Sequence, residues 1–288
     1  MKQILSIIHL SLLLLLQSCL PSNLPPAFIV VGDSWGQLMC VFKTYDQILI
    51  EYGHGNKRAE CLHTTKSGSR ASEWANPEKL SSVANALNLY PDVKVIVLSV
   101  GGNDLLGNWN KNMSAEEEIK LLDTIAQDFG EIILQLQQMR PELKIVVSGY
   151  DYPHFGKLLR KNVLHAAYRK LYQKMGQPTY AELNGIIVKF TMRMAQASSE
   201  FKNVFYVSNL GLHQHLYGQE EYDIKAGELP APDKYRLIGG DSSLPQNPRA
   251  LFHINHTRLY DPYHLNRTGY KNLARNIMNT YLNELIEN

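Results

Sequence analysis

The chain has 288 residues, with 29 Lys and Arg against 27 Asp and Glu and a formal net charge of +2. So even a balance leaves no electrostatic footprint for a nucleic-acid partner. Hydrophobic residues make up 44% of the chain, enough for a sizeable core, and its three cysteines form no CxxC pattern that would support a thiol-based metal or redox site.

In chain order, Lys2 precedes an apolar run from Ile4 to Leu16, followed by Gln17, Ser18 and Cys19. A basic start, a run too short to span a bilayer comfortably, and a small residue before a cysteine describe an export signal outside the fold. Leu16-Gln17-Ser18-Cys19 resembles a bacterial lipobox. The resemblance implies a signal peptide of residues 1–18, cleavage before Cys19 and lipidation of its thiol, which would tie the protein to a membrane. Leu20 after the cysteine then implies the outer membrane of a Gram-negative cell. A plain secretory signal cut nearby is the alternative. Pro21, Pro25 and Pro26 mark residues 19–27 as a tether, leaving 28–288 as one domain.

Phe28 to Val31 is a continuous apolar run, as in a parallel strand buried on both faces, and it ends in Gly32-Asp33-Ser34-Trp35. The pattern then predicts a helix from Gln37 to Ile50, a strand from Glu60 to Thr65, a helix from Pro77 to Leu89 and a strand from Val93 to Val100. Ser114 and Glu117 form a capping-box pattern opening a helix to Met139. Further on come a strand from Leu143 to Ser148, helices from Lys157 to Gln173 and from Tyr180 to Ser198, and a last strand from Val204 to Val207. Tyr270, Leu273, Ile277, Tyr281 and Leu285 mark an amphipathic closing helix. Such alternation predicts a three-layer α/β/α sandwich with a mainly parallel central sheet. Residues 211–260 lack a period and are read as an irregular insertion on the substrate side, with a surface excursion of no role as the alternative. Cys40 and Cys61 either pair or remain two buried thiols.

Ligands bind at the carboxyl edge of such a sheet, and several polar residues fall there. Ser34 follows the first strand, where a hydroxyl reached by a base is a nucleophile. Asp33 beside it is suited to bracing the turn. Gly68 lies after the second strand, and Gly101-Gly102-Asn103-Asp104 after the third. Asp261 and His264 precede the last helix, three residues apart, so the carboxylate can orient the imidazole towards the serine. The N–H groups of Ser34 and Gly68 and the Asn103 amide can supply donors to a developing oxyanion. Trp35, Tyr150 and Tyr152 are candidates for the substrate wall.

In order and placement these blocks resemble those of the SGNH, or GDSL, hydrolases, whose Ser, Gly, Asn and His map onto Ser34, Gly68, Asn103 and His264. The resemblance covers most of the chain from Phe28. It implies a flavodoxin-like fold, a Ser34–His264–Asp261 triad and serine-dependent cleavage of esters without metal or cofactor. Trp35 stands where that family carries leucine. Acyl esters of lipids or lysophospholipids are the favoured substrates. The alternatives are a carbohydrate O-acetyl esterase, acyl transfer to another alcohol, and a non-catalytic binding module. His213 with His215, and His253 with His256, have spacings a zinc site could use, but nothing nearby completes either pair, so surface histidines are expected. The sequence leaves the oligomeric state open.

Overall fold

The computed structural model describes residues 23–156, 159–163, 165–253 and 260–287; residues 1–18, expected to be an export signal, and Cys19 lie outside the described residues. Strand β1 (Pro26–Gly32) leads into helices α1 (Ser34–Val41) and α2 (Thr44–Glu51), then β2 (Arg58–Glu60), α3 (Ala71–Trp74) and α4 (Pro77–Leu89). Next come β3 (Val95–Ser99), α5 (Gly102–Asn108), α6 (Ala115–Met139), β4 (Lys144–Ser148), α7 (Ala166–Lys174), α8 (Tyr180–Ser199) and β5 (Val204–Val207). The chain closes with α9 (Leu212–Tyr217), β6 (Leu251–His253), β7 (Tyr260–Leu265), α10 (Arg267–Ile277), a π-helical turn (Met278–Leu282) and α11 (Asn283–Glu287).

Five strands form a parallel sheet in the order β2-β1-β3-β4-β5. Alternation along each strand feeds two cores. Ile29, Val31, Ile96, Leu98 and Ile145 face the layer of α3, α4, α5, α6 and α8, where Trp74, Leu80, Phe129 and Ile186 are buried. Phe28, Val30, Val97 and Val146 face the opposite layer, where α1, α2 and α10 bury Trp35, Tyr45, Ile48 and Tyr270. The result is the expected three-layer sandwich. The chain order reverses between β1 and β3, and a crevice opens at their carboxyl ends, where such folds bind ligands.

Several expectations need correction. β1 begins at Pro26, so the last two residues of the expected tether belong to the sheet. The helix expected from Gln37 to Ile50 is two helices, broken where Lys43 takes a left-handed conformation (φ 52°). β2 ends at Glu60, whose side chain accepts the N–H groups of Cys61 and Leu62; only Thr65 of the following residues rejoins the sheet, as an isolated bridge to Gly32. Of the helix expected from Lys157, only Ala166–Lys174 is helical among the described residues. Of the two alternatives left open for Cys40 and Cys61, the structure has the disulfide, which joins the end of α1 to the chain beyond β2. Val204–Val207 is not the last strand: β6 and β7 form a small antiparallel sheet of their own.

Candidate active site

At Gly32 the backbones of β1 and β3 touch, and a Cβ there would lie 2.0 Å from Ser99 O. Only glycine fits, and the Asp33 N–H bonds to Ser99 O at 2.9 Å immediately beyond. Asp33 then caps α1, its Oδ1 accepting the Trp35 N–H at 3.0 Å. Ser34 is therefore the first residue of a helix, at the sheet edge, with only 6% of its surface exposed.

β7 brings up the other half of the site. His264 Nε2 lies 2.8 Å from Ser34 Oγ, and His264 Nδ1 lies 2.9 Å from Asp261 Oδ2. The carboxylate calls for a donor, so Nδ1 carries the ring proton and Nε2 is left to accept from the serine hydroxyl. Asp261 Oδ1 accepts the N–H groups of Tyr263 (3.1 Å) and His264 (2.9 Å), which fixes the carboxylate within its own turn. Burial alone would raise Asp261, but the nearby His264 charge and its hydrogen bonds outweigh it and hold the carboxyl below its ordinary range. Burial alone would lower His264, but the charge and hydrogen bond of Asp261, with Asp33 behind, leave it above an ordinary imidazole. Such a chain can move a proton from hydroxyl to imidazole while a fixed carboxylate stabilises the cation.

Asn103, in the first turn of α5, donates through Nδ2 to Ser69 O at 2.9 Å, and the same nitrogen lies 3.5 Å from Asp33 Oδ2. The first contact anchors the amide; the second is long enough to yield to a better acceptor. Gly68 occupies a positive-φ position (φ +74°) in the exposed turn closed by Ser69 N–H to Lys66 O. It does not line the pocket described below. The residue that braces its loop is Asp104, whose Oδ2 accepts the Ala71 N–H at 2.7 Å. The sequence placed Asp104 beside Asn103 but gave it no role of its own.

Tyr150 does more than form a wall. Its hydroxyl donates to Asp33 Oδ2 at 2.6 Å and accepts the Gly102 N–H at 3.2 Å, linking the ends of β4, β1 and β3. Burial pushes Asp33 up to about 6, against the pull of the Tyr150 and Trp35 hydrogen bonds. Asp33 therefore braces the turn as expected and adds a second carboxylate near His264.

A pocket of about 470 Å³, measured out to its open mouth, adjoins Ser34 and Asn103. Its walls are mostly apolar: Trp35, Leu105, Leu106, Ile187, Phe190 and Tyr263, with Tyr150 packed edge-on against Trp35 at 5.1 Å. None of the described residues of 211–260 lines it, so the expected substrate-side placement is not met among the described residues of the insertion. Helix α8 supplies Ile187 and Phe190 instead, a role that helical periodicity alone cannot separate from core packing.

Tyr152 is not a wall residue either. Asp151 is drawn under the insertion by the Gly211 N–H (2.7 Å) and by His213 Nδ1 (2.7 Å), and Tyr152 follows it inward. It is 1% exposed, with its hydroxyl donating to Gly239 O. His213, expected at the surface, is fully buried, with Nε2 facing Gly269 O at 3.1 Å. His215 Nδ1 bonds to Leu229 O at 2.7 Å, while His256 lies outside the described residues.

No protein-family model matches the sequence, and no curated protein matches it. Among solved structures, a gut microbial diltiazem-metabolizing enzyme is similar at 12% identity and a TM-score of 0.50, over 90% of this chain and 47% of its own. A family 3 carbohydrate esterase from Clostridium thermocellum is similar at 17% identity and a TM-score of 0.46, over 90% of this chain and 96% of its own. A GDSL-like lipase from Parabacteroides merdae is similar at 11% identity and a TM-score of 0.49, over 89% of this chain and 96% of its own. At such identities the likeness is one of fold.

Proposed function

We propose that this protein is a serine hydrolase of carboxylic esters, of the SGNH/GDSL type, exported and held on a membrane through lipidated Cys19. Ser34 Oγ attacks the ester carbonyl as His264 Nε2 takes its proton, and Asp261 stabilises the imidazolium. The Ser34 and Gly68 N–H groups and the Asn103 amide receive the oxyanion; for Asn103 this means trading the long contact to Asp33 for the substrate oxygen. The C–O bond then breaks, and the alcohol leaves with the proton from His264. Water, deprotonated by the same imidazole, adds to the acyl-enzyme and releases the acid and a free Ser34. The site uses no metal or cofactor.

The observation that carries this reading is the continuous path from Ser34 Oγ through His264 to Asp261, with steps of 2.8 and 2.9 Å, at the mouth of an apolar pocket. A binding module needs no such path. The aliphatic and aromatic walls favour an acyl chain longer than acetyl, as in lipid or lysophospholipid esters, over acetylated carbohydrate. The Cys40–Cys61 disulfide suits an oxidising, extracytoplasmic compartment.

Hydrolysis of p-nitrophenyl esters from acetyl to palmitoyl by the full-length chain and by Ser34→Ala tests the reading. Loss of all turnover in Ser34→Ala, with a preference for chains beyond acetyl, is the expected result. Preference for acetyl would move the substrate to O-acetyl esters, and undiminished turnover in Ser34→Ala would remove the nucleophile.

A further inference from the structure

Asp261 receives more support than a serine–histidine–aspartate relay requires. Its Oδ1 takes two N–H groups from its own turn, and its Oδ2 takes His264 Nδ1. A further donor reaches Oδ2: the hydroxyl of Tyr168, from α7. No residue of that helix is fully buried, and Tyr168, Leu171 and Tyr172 pack against the core from partly exposed positions. The helix and the residues that precede it also make a set of contacts with β7. The His154 N–H bonds to Pro262 O at 2.6 Å, Phe155 stacks on Tyr263 at 6.1 Å, and the Tyr168 ring meets Tyr263 edge-on at 5.8 Å. The stretch between β4 and α8 therefore clasps the strand that carries Asp261 and His264, and Tyr168 is where the clasp touches a site carboxylate.

We propose that Tyr168 is a positioning residue for this site: its hydroxyl fixes the Asp261 carboxylate beside His264 and withdraws part of the negative charge that Asp261 presents to the imidazole. The inference rests on His264 acting as the base of the proposed hydrolase. Turning the Asp261 carboxylate would break the bond to Tyr168 along with those inside the turn. Burial and the Asp261 charge push the Tyr168 phenol upward, so it stays a donor throughout the working range. A donor on the carboxylate weakens its pull on the imidazolium, and removing that donor strengthens the pull. His264 should then titrate at higher pH.

The groups that bear on this titration are few. His264 faces Asp261 and Asp33. Asp33 is bonded to Tyr150, and Asp261 also influences His165, Tyr263 and Tyr270. His165 in turn feels Arg160 and Arg169. Tyr168→Phe leaves all of these in place.

The test compares the full-length chain with Tyr168→Phe and with 3-fluorotyrosine incorporated at position 168, whose more acidic phenol donates more strongly. One readout is the pH profile of kcat/KM on p-nitrophenyl butyrate. The other is the titration of the far-downfield proton resonance of the Asp261–His264 hydrogen bond, which needs no turnover. Tyr168→Phe should raise the midpoint in both and lower kcat by on the order of tenfold at near-constant KM, the loss of one hydrogen bond to a charged group. The fluorinated protein should lower the midpoint. A tyrosine that merely anchors α7 would move neither, and unchanged midpoints in both variants would overturn the proposal. A midpoint that moves in a protein that cleaves no ester would uphold the Tyr168–Asp261 coupling and refute the esterase reading instead.

Discussion

If the apolar pocket holds the acyl chain, narrowing it should cut turnover of long-chain esters and leave short ones. Leu106 is the place to do it, because it lines the pocket while remaining partly exposed, so a larger side chain there does not have to displace the core. Each methylene buried in such a pocket is worth about 0.8 kcal/mol, roughly a fourfold gain in kcat/KM per carbon until the walls are reached. If Leu106→Trp shuts out three methylenes, the loss is about 2–3 kcal/mol, or on the order of fiftyfold on an octanoyl ester. The acetyl ester needs none of that space and should stay within about threefold of wild type. Steady-state kinetics on the p-nitrophenyl series, with a thermal melt as a folding control, read the contrast. Equal losses on acetyl and octanoyl esters, or no loss on either, would refute the assignment of this pocket to the acyl chain.

Two further perturbations probe the polar half of the site. If the amide acts on the transition state as proposed, Asn103→Ala should lower kcat by on the order of a hundredfold with a small change in KM; undiminished turnover would remove Asn103 from the oxyanion site. Asp33 titrates near 6 in the folded protein, above its ordinary value of 3.8. The folded state therefore binds this proton first, and the contribution of Asp33 makes the fold more stable as pH falls through 6 towards 4. Asp33→Asn should flatten that part of the pH dependence in denaturant titrations at about pH 8 and about pH 5, and an identical slope in the variant would contradict the burial argument.

What could be read from the sequence was local or periodic. The run before Gly32 gave β1 because a strand buried on both faces has no polar alternation to hide it. Asp261 and His264 could be paired because three residues is the span of one turn, and that turn also supplies the N–H groups on Asp261 Oδ1. Contacts between distant segments left no trace of this kind. Tyr168 and Asp261 are 93 residues apart, and nothing in the periodicity of α7 points at a carboxylate. Tyr150 and Tyr152 have the same parity beyond β4, yet one reaches Asp33 and the other is carried under the insertion by Asp151. The insertion itself was unreadable for a chemical reason. Its core is held by side-chain amides on carbonyls, as where Gln214 Nε2 donates to Leu244 O and Pro245 O and Asn247 Nδ2 to Gly218 O. Apolar periodicity does not record such a core.

The most direct test of Ser34 as the nucleophile is covalent capture. The full-length chain is treated with a fluorophosphonate, digested and mapped by mass spectrometry, alongside His264→Ala. A single adduct on Ser34, formed far more slowly when His264 is absent, is the expected result. An adduct on another residue, or labelling of Ser34 at the same rate without His264, would contradict the proposed hydrolase.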